Sequence, residues 1–232
     1  TGVQTCALPI STATVTYANN TNAGTATADA SFAGDANHTG STATQVTFTI
    51  DKATSTTTIT CPASVTYDGT AQTPCTAAVQ GVGTVTATAT LTYTANTDAG
   101  TATVNASTTG DANHTGSTAT AVTFTIDKAT STTTITCPAS AVYTGSALTP
   151  CTAAVTGAGG LNTTATVTYA NNTNVGTATA DASFAGDANH TASTATPVTF
   201  TIDKAASTTT ITCPTSVTYD GTAQTPCTAA VT

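Results

Sequence analysis

The residues with the clearest chemical potential lie in the stretch SFAGDANHTG, residues 31–40. Asp35, Asn37 and His38 follow one another closely there, so a carboxylate, an amide and an imidazole could form a metal loop or a catalytic cluster. A tight turn is the third interpretation, because Asp and Asn after Gly bond readily to nearby backbone amides. The distribution of the motif along the chain decides between them.

The motif recurs at 108–116 and 183–192, and His38, His114 and His190 are 76 residues apart. A cluster that occurs once in every copy of a repeat serves its own copy and does not converge on one shared site. We therefore predict a structural turn that joins the last two strands of each copy, with the histidine packed against the end of the fold.

Metal binding remains an alternative for the acidic residues. A calcium loop within the motif is disfavoured, since calcium takes six or more oxygen ligands and the motif offers two side chains. Calcium held between neighbouring copies, by Asp51 or Asp127 together with a turn aspartate of the next copy, stays open. No other cofactor is predicted.

Paired cysteines recur with the same 76-residue step, in the pattern C-P-x11-P-C. An Asp-Gly turn signal at 68–69 lies almost midway between Cys61 and Cys75, so a hairpin folded there would bring the two within disulfide reach. Closing a loop of about 15 residues is worth roughly 3 kcal/mol in the chain-entropy model. Free thiols, or a zinc site with its need for about four ligands, remain alternatives. The predicted disulfides stay within each copy: Cys61–Cys75, Cys137–Cys151 and Cys213–Cys227.

Other catalytic arrangements are not visible. No Ser-His-Asp order stands out from scattered turn residues, and the chain contains no Glu that could join an Asp in a catalytic carboxylate pair. The glycine-rich run at 157–160 opens no predicted helix, so it does not resemble a phosphate-binding loop. The sequence predicts a protein that is not an enzyme.

Composition limits the partners further. Charged residues make up 6% of the chain, and 3 basic against 11 acidic residues give a net charge of -8. So few cations cannot follow a phosphate backbone, which argues against nucleic acid. No apolar run approaches the roughly 20 residues needed to cross a bilayer, so membrane insertion of this segment is not expected.

The elements that must position these residues are strands. Thr and Val dominate, and their branched side chains suit a pleated surface. The stretch VTFTI at 122–126 alternates apolar and polar residues, which is typical of a strand with one buried face. The stretch at 85–93 alternates in the same way and places on one face Val85, Ala87, Ala89, Leu91 and Tyr93. We predict an all-β fold, with one small antiparallel sandwich in each copy of about 76 residues.

The copies are bounded by the sequence IDKA, where the alternating strand ends and the only lysine of each copy stands. Because the next strand begins at once, the copies should lie end to end as a stiff string. The predicted divisions are a partial copy at 11–53, whole copies at 54–129 and 130–205, and a partial copy at 206–232. We expect the chain to be a window cut from a longer repeat protein.

Residues 1–10, TGVQTCALPI, share almost nothing with the residues in phase with them at 77–86 and 153–162, whereas the match resumes at Ser11. They resemble the translation of a short-read sequencing adapter, so we interpret them as a foreign prefix and exclude them from the fold. Without Cys6 the chain has six cysteines, an even number.

The motifs YDGTAQTP, NAGTATADASFAGDANHTG and FTIDKA, with their copies, resemble bacterial immunoglobulin-like repeats of the MBG or YDG type. The resemblance covers essentially all of 11–232 and implies Ig-like β-sandwiches in long secreted or surface-attached bacterial proteins, such as stalks and adhesins. Two features depart from the family pattern. His38 and its copies replace an aromatic residue, and paired cysteines are not general in the family.

These observations lead to an expected function and location. Disulfides persist in oxidising compartments, so the segment should be extracellular, at a bacterial cell surface. We expect a structural spacer whose partners are the neighbouring repeats of the same chain. The alternative is a binding module for a glycan, a host protein or, given the Thr-x-Thr faces, ice. Ice binding is the weakest of these, because a twisted sandwich curves its threonine rows.

Overall fold

The computed structural model describes residues 12–232, and the predicted prefix at 1–10 lies outside them. The described chain is all-β, as predicted, with twenty-one strands, one 3-10 turn at Ala158–Gly160 and no α-helix. It divides into two compact units. The first contains the residues up to Thr66 together with Thr70–Asp127, and the second contains Tyr67–Gly69 and Lys128–Thr232.

The first unit contains eleven strands in three sheets. Strands β1 to β4 form one sheet in which β1, β3 and β4 all pair with β2. Strands β5 and β7 form a second, two-stranded sheet, and the remaining five strands, β6 and β8 to β11, form the third with β6 at its edge. The strands are β1 Thr14–Ala18, β2 Gly24–Gly34, β3 Thr39–Thr42, β4 Val46–Ile50, β5 Ser55–Thr60, β6 Ser64–Thr66, β7 Thr76–Gly81, β8 Thr90–Thr94, β9 Gly100–Gly110, β10 Thr115–Thr118 and β11 Val122–Asp127.

Strands β12 to β19 of the second unit repeat the strands of the copy at 54–129 and, apart from the extra strand β15, begin 76 to 78 residues after their counterparts. Strands β20 and β21 form a two-stranded sheet. One extra strand, β15, extends the sheet of β12 and β14. The strands are β12 Ser131–Thr136, β13 Ser140–Val142, β14 Thr152–Gly157, β15 Asn162–Thr164, β16 Val167–Ala170, β17 Gly176–Phe184, β18 Ser193–Thr194, β19 Val198–Asp203, β20 Thr209–Thr212 and β21 Thr228–Val231.

The long strand β9 organises the copy at 54–129. It pairs with β11 through Gly100–Val104, with β8 through Thr103–Ser107 and with β10 through Ser107–Gly110. Alternation along β9 and β11 turns small and apolar residues inward and threonines outward, as the period-two pattern predicts. The buried side chains of these two strands are Ala102, Val104, Ala106, Phe124 and Ile126.

The predicted strand at 85–93 is shorter in the structure. Only Thr90–Thr94 is a strand, although the five predicted inward residues are all less exposed than the threonines between them. Tyr93 packs edge-on against Phe124, with ring centroids 6.4 Å apart. The predicted inward face of 85–93 is therefore confirmed, whereas strand hydrogen bonding covers only the second half of this stretch.

The Asp68-Gly69 region differs from the predicted hairpin. Strands β5 and β7 do pair antiparallel, with Thr60 opposite Thr76, but the chain between them does not continue the ladder. Instead β6 crosses to the other sheet and pairs parallel with β11, with Val65 beside Ile126. Burial of an apolar pair accounts for this departure, because a simple hairpin would leave Val65 without Ile126 as a neighbour. The third copy repeats the parallel pair in β13 and β19.

Candidate functional site

The Gly-Asp-Ala-Asn-His motif forms a turn, as the sequence predicts. One carboxylate oxygen of Asp111 accepts the backbone N–H groups of Asn113 and His114, at 2.9 and 2.8 Å. Gly110 has φ +86°, and a Cβ there would lie 2.3 Å from the carbonyl oxygen of His114, so only glycine fits. The turn joins β9 to β10, not the last two strands, because the short β10 precedes β11. The residues TGST of β10 lack apolar alternation and so gave no strand signal.

His114 makes a stronger contact than the predicted packing. The side chain is 2% exposed, its Nδ1 lies 2.7 Å from Asp111 Oδ1, and its Nε2 lies 2.8 Å from the carbonyl oxygen of Val82. A carboxylate and a carbonyl oxygen can only accept hydrogen bonds, so the arrangement favours a ring that donates from both nitrogens. The site therefore favours the charged imidazolium.

The third copy builds the same site. His190 is 4% exposed, its Nδ1 lies 2.8 Å from Asp187 Oδ1, and its Nε2 lies 2.9 Å from the carbonyl oxygen of Ala158. The carbonyl groups of Val82 and Ala158 occupy the same place in phase. Every residue has a backbone oxygen, so the residue types could not indicate these two partners.

Hydrogen bonding sets the protonation of both residues of the pair. The Val82 carbonyl, and then Asp111, raise the pKa of His114 above its ordinary value, while burial and the charge of Lys52 oppose the rise. The backbone N–H of Thr86, 2.8 Å from Asp111 Oδ2, is the main cause of a strongly lowered pKa for Asp111, and His114 and Asn113 add to it against the effect of burial.

The corresponding pair in the third copy shifts in the same directions. The Ala158 carbonyl raises the pKa of His190, burial opposes it, and Asp187 adds to the rise. Burial alone would raise the pKa of Asp187, but hydrogen bonds from His190 and Asn189 outweigh it and leave that pKa lowered. Both copies thus hold an ion pair of the same polarity beside the turn.

Two glycines, Gly81 and Gly157, make room for the rings, a role that was not predicted from the sequence. A Cβ at Gly81 would lie 2.9 Å from His114 Cδ2, and one at Gly157 would lie 3.1 Å from His190 Cδ2. A larger residue at either position would displace the imidazole from its carbonyl partner. Their spacing of 76 residues was the available signal.

The turn of the copy at 54–129 also contacts the end of the preceding copy. Ala53 donates its N–H to the carbonyl oxygen of Asn113 at 2.9 Å and accepts the N–H of Thr115 at 2.8 Å, which makes a parallel bridge. Lys52 Nζ donates to the carbonyl oxygen of Asp111. The residues IDKA are therefore a bonded joint in the first unit and not a free linker.

A second contact involves the loop before β2. The side-chain oxygen of Asn113 accepts the N–H of Ala23 at 2.9 Å, and its amide group donates to Asn22 Oδ1 at 2.9 Å. The two ends of one amide thus fix the turn to this loop. Tandem position in the sequence could not show that Asn113 performs this role.

The second unit contains the equivalent backbone joint. Ala129 donates to the carbonyl oxygen of Asn189 and accepts from the N–H of Thr191, both at 2.9 Å. Lys128 Nζ donates to the carbonyl oxygen of Asp187. These bonds agree with the start of the main segment of the second unit at Lys128, two residues before the predicted start of the copy at 130.

The three predicted disulfides are present, Cys61–Cys75, Cys137–Cys151 and Cys213–Cys227. In the second copy the bond extends the β5–β7 ladder by one further rung, with the two Cα atoms 4.3 Å apart. The hydroxyl of Tyr93 donates to the carbonyl oxygen of Cys75 and accepts its N–H, both at 3.2 Å. Tyr169 holds Cys151 in the same way, at 3.1 and 2.9 Å.

Metal ligands do not gather in the described chain. Within residues 12–232, no group of three or more His, Cys, Asp or Glu side chains is placed to hold an ion. Asp111, a turn aspartate proposed for calcium, is bonded to Asn113, His114 and Thr86. A cation of the preceding copy, Lys52, also reaches this turn, where its Nζ donates to the carbonyl oxygen of Asp111.

Across the described part of the chain, no helix is long and apolar enough to cross a bilayer. The three disulfides point to an oxidising, extracellular environment. Comparisons with protein-family models, curated proteins and solved structures give no match to this chain.

Proposed function

We propose that this chain is a structural spacer, a string of tandem Ig-like β-sandwiches in the stalk of a secreted or surface-attached bacterial protein of the adhesin kind, without catalytic activity. One observation carries the proposal. The turn of the copy at 54–129 is bonded to the preceding copy at Lys52, at Ala53 and at the loop of Asn22 and Ala23.

The joint is suited to keeping a fixed spacing between copies. A linker without such bonds would let neighbouring copies swing freely, as flexible linkers do. Here the main chain of Ala53 is held from both sides, and Asn113 adds two further bonds beside it. Several bonds spread over two separate stretches of the preceding copy resist bending better than one contact would. A spacer needs this property, whereas an enzyme or a ligand-binding module does not.

The chemistry of the joint also suits exposure to changing surroundings. Most of its bonds use backbone groups and a neutral amide, which depend weakly on salt. Each whole copy has a small core rich in alanine, and its disulfide adds roughly 3 kcal/mol through the closed loop. The spacer therefore combines small modules with covalent reinforcement.

Single-molecule pulling tests this proposal. The full chain, held between two handle proteins, should show separate unfolding events for the copies at 54–129 and 130–205. With the disulfides intact, each event should release a shorter length than after reduction. The 14-residue separation of each cysteine pair predicts a difference of about 5 nm, at about 3.6 Å for each residue.

The matched control is the double variant Cys137→Ser with Cys151→Ser, in which only the third copy should lengthen its event without reductant. A single unfolding event for both copies, or released lengths that reduction does not change, would contradict a spacer made of separate disulfide-bonded copies. A glycan array probed with the same chain addresses the alternative. Saturable binding there would favour a recognition module.

A further inference from the structure

A stretch of three residues after β6 belongs to a different compact unit from the chain on either side of it. Tyr67–Gly69 is part of the second unit, although the residues before and after it are part of the first. These are the first three residues of the motif YDGTAQTP. We call Tyr67–Gly69 the finger. Two close contacts tie the finger to the third copy.

The finger contacts a glycine-rich loop beside the buried histidine of the third copy. The rings of Tyr67 and His190 meet edge-on, with centroids 5.4 Å apart and planes at 85°. A Cβ on Gly159 would lie 2.6 Å from the hydroxyl oxygen of Tyr67, and a Cβ on Gly69 would overlap the Cα of Gly159. We call the loop Gly157–Leu161 together with His190 the socket. The finger therefore fits the socket only where both sides have glycine.

The residues that meet in this contact recur along the chain. The finger reads Tyr-Asp-Gly at 67–69, Tyr-Thr-Gly at 143–145 and Tyr-Asp-Gly at 219–221, so its tyrosine and glycine are constant while the middle residue varies. In the socket, Gly159 has its counterpart in Gly83, whereas the next residue is Gly160 in one copy and Thr84 in the other. The positions that touch thus keep their residue types, as a contact repeated along the array would require.

The local backbone gives both sides their shape before they meet. The socket glycine Gly159 has φ +62°, and its counterpart Gly83 has φ +74°. The socket loop is closed on itself, since the N–H of Leu161 donates to the carbonyl oxygen of Ala158 at 3.3 Å. Partners that already have their bound shape lose little conformational freedom on docking. The finger glycines share a left-handed conformation, with φ between +79° and +87°, at Gly69, Gly145 and Gly221.

The other bonds of this joint discriminate poorly between neighbours. Ala129 bonds through its main chain, and Lys128 Nζ donates to the carbonyl oxygen of Asp187. Backbone groups of this kind are offered by nearly every residue. The finger adds what these bonds lack, which is a side chain that requires a particular residue type opposite it.

We propose that the finger selects which copy can follow it in the array, namely a copy with glycine at the place of Gly159 and a histidine held beside it. A larger residue at that place would meet the Tyr67 hydroxyl, and the finger could not enter the socket. Tyr67 is thus a positioning residue of the joint. This role rests on the spacer function proposed above. The pulling experiment does not depend on Tyr67, so either proposal can fail while the other stands.

NMR of the full chain, labelled at Tyr and His, tests the contact. We expect a nuclear Overhauser effect between ring protons of Tyr67 and His190. Gly159→Ala should abolish this signal, because the added Cβ takes the space of the tyrosine hydroxyl. Gly83→Ala is the matched control and should retain it, since Gly83 shares the left-handed backbone but a Cβ there would have nothing within 4 Å. A parent chain without the signal, or a signal that both variants keep or both lose, overturns the proposal.

Hydrogen exchange at the Leu161 amide measures what the finger contributes to the socket. Tyr67→Ala should accelerate this exchange about two- to tenfold, as expected for the loss of one aromatic pair. Tyr67→Phe keeps the ring and should restore the parent rate. Tyr143→Ala changes the tyrosine at the same place in phase, which is 38% exposed, and should leave the rate unchanged. An unchanged rate in Tyr67→Ala, or an equal acceleration in Tyr143→Ala, would overturn the proposal.

Discussion

His38 and His114 stand in the same five-residue motif, yet their surroundings differ. Each Nδ1 lies within 2.8 Å of the aspartate three residues before it, so the turn itself is the same. The side chain of His38 is 69% exposed and that of His114 is 2% exposed. The turn is therefore a local property of the motif, whereas burial depends on a distant loop that supplies the Val82 carbonyl.

The apolar side chains of the two regions differ in the same way: their local contacts are alike, but their burial is not. Tyr17 and Phe48 keep the edge-on contact seen between Tyr93 and Phe124, with centroids 6.3 and 6.4 Å apart. Local strand pairing thus survives in the half copy at 12–53, although Phe48 remains partly exposed. A complete core requires both halves of a copy, because the earlier half covers what the later half exposes.

The largest expected difference between the two regions concerns these phenylalanines. Phe124→Ala should lower the free energy of unfolding of its copy by about 3–5 kcal/mol, because the substitution leaves a cavity in a closed core. Phe48→Ala should cost about 1 kcal/mol or less, since the side chain is already part exposed. Urea titration at low protein concentration measures both. Equal losses would show that the half copy is packed as well as the whole one.

The next effect is on pH dependence. The pKa of His114 and of His190 is raised in the fold, so their stabilisation is full below about pH 6.5 and is lost as the pH rises through the raised values. The pKa of Asp111 and of Asp187 is lowered, so their stabilisation is lost as the pH falls below about 4. Asp111 and Lys52 are the charged groups that face His114. Stability should therefore be greatest between these limits.

Melting curves recorded from about pH 5 to about pH 9 measure this dependence of stability on pH. The melting temperature of the parent chain should fall as the pH rises above about 6.5, with uptake of up to about one proton for each of the two histidines on folding. His114→Gln should remove part of this fall, and the double variant with His190→Gln should remove most of it. A parent chain whose melting temperature is constant or rises over this range would refute the ion pairs.

The smallest effect is expected at the joint. Asn113→Ala should weaken the contact with the preceding copy by about 1 kcal/mol, because two hydrogen bonds through one amide are lost. Asn37→Ala is the matched control, since Asn37 is an exposed residue at the same place in phase. Hydrogen exchange at the Ala23 amide should accelerate in the first variant only. Equal exchange in both would remove Asn113 from the joint.

The sequence predicted the features that depend on local or recurring signals. Alternation predicted the inward faces of β8 and β11, the Gly-Asp-Ala-Asn motif predicted the turn, and the recurring cysteine spacing predicted the three disulfides. In each case neighbouring residues, or the same residues 76 positions later, carry enough information to choose one structure.

The features that could not be predicted from the sequence depend on contacts between residues far apart in the chain. The three-residue β6 has no pattern of its own and is a strand only because β11 accepts it. The partner of His114 is a backbone carbonyl, which has no residue signature. The bonded joint had one visible sign, the single lysine of each copy at a constant place, but the sequence could not show which turn Lys52 would reach.

The backbone joint has a consequence for how the gene can change. Ala53 and Ala129 each form the same two backbone hydrogen bonds, one to the carbonyl oxygen and one from the N–H group of the turn that follows. Excision of residues 54–129 would therefore bring Ala53 to the turn at Asn189–Thr191, which offers the same acceptor and the same donor. Unequal recombination between the near-identical units could therefore shorten or lengthen the array in whole steps. Each shortened or lengthened array would keep the backbone hydrogen bonds between its copies. The length of the array could therefore evolve without any new side chain.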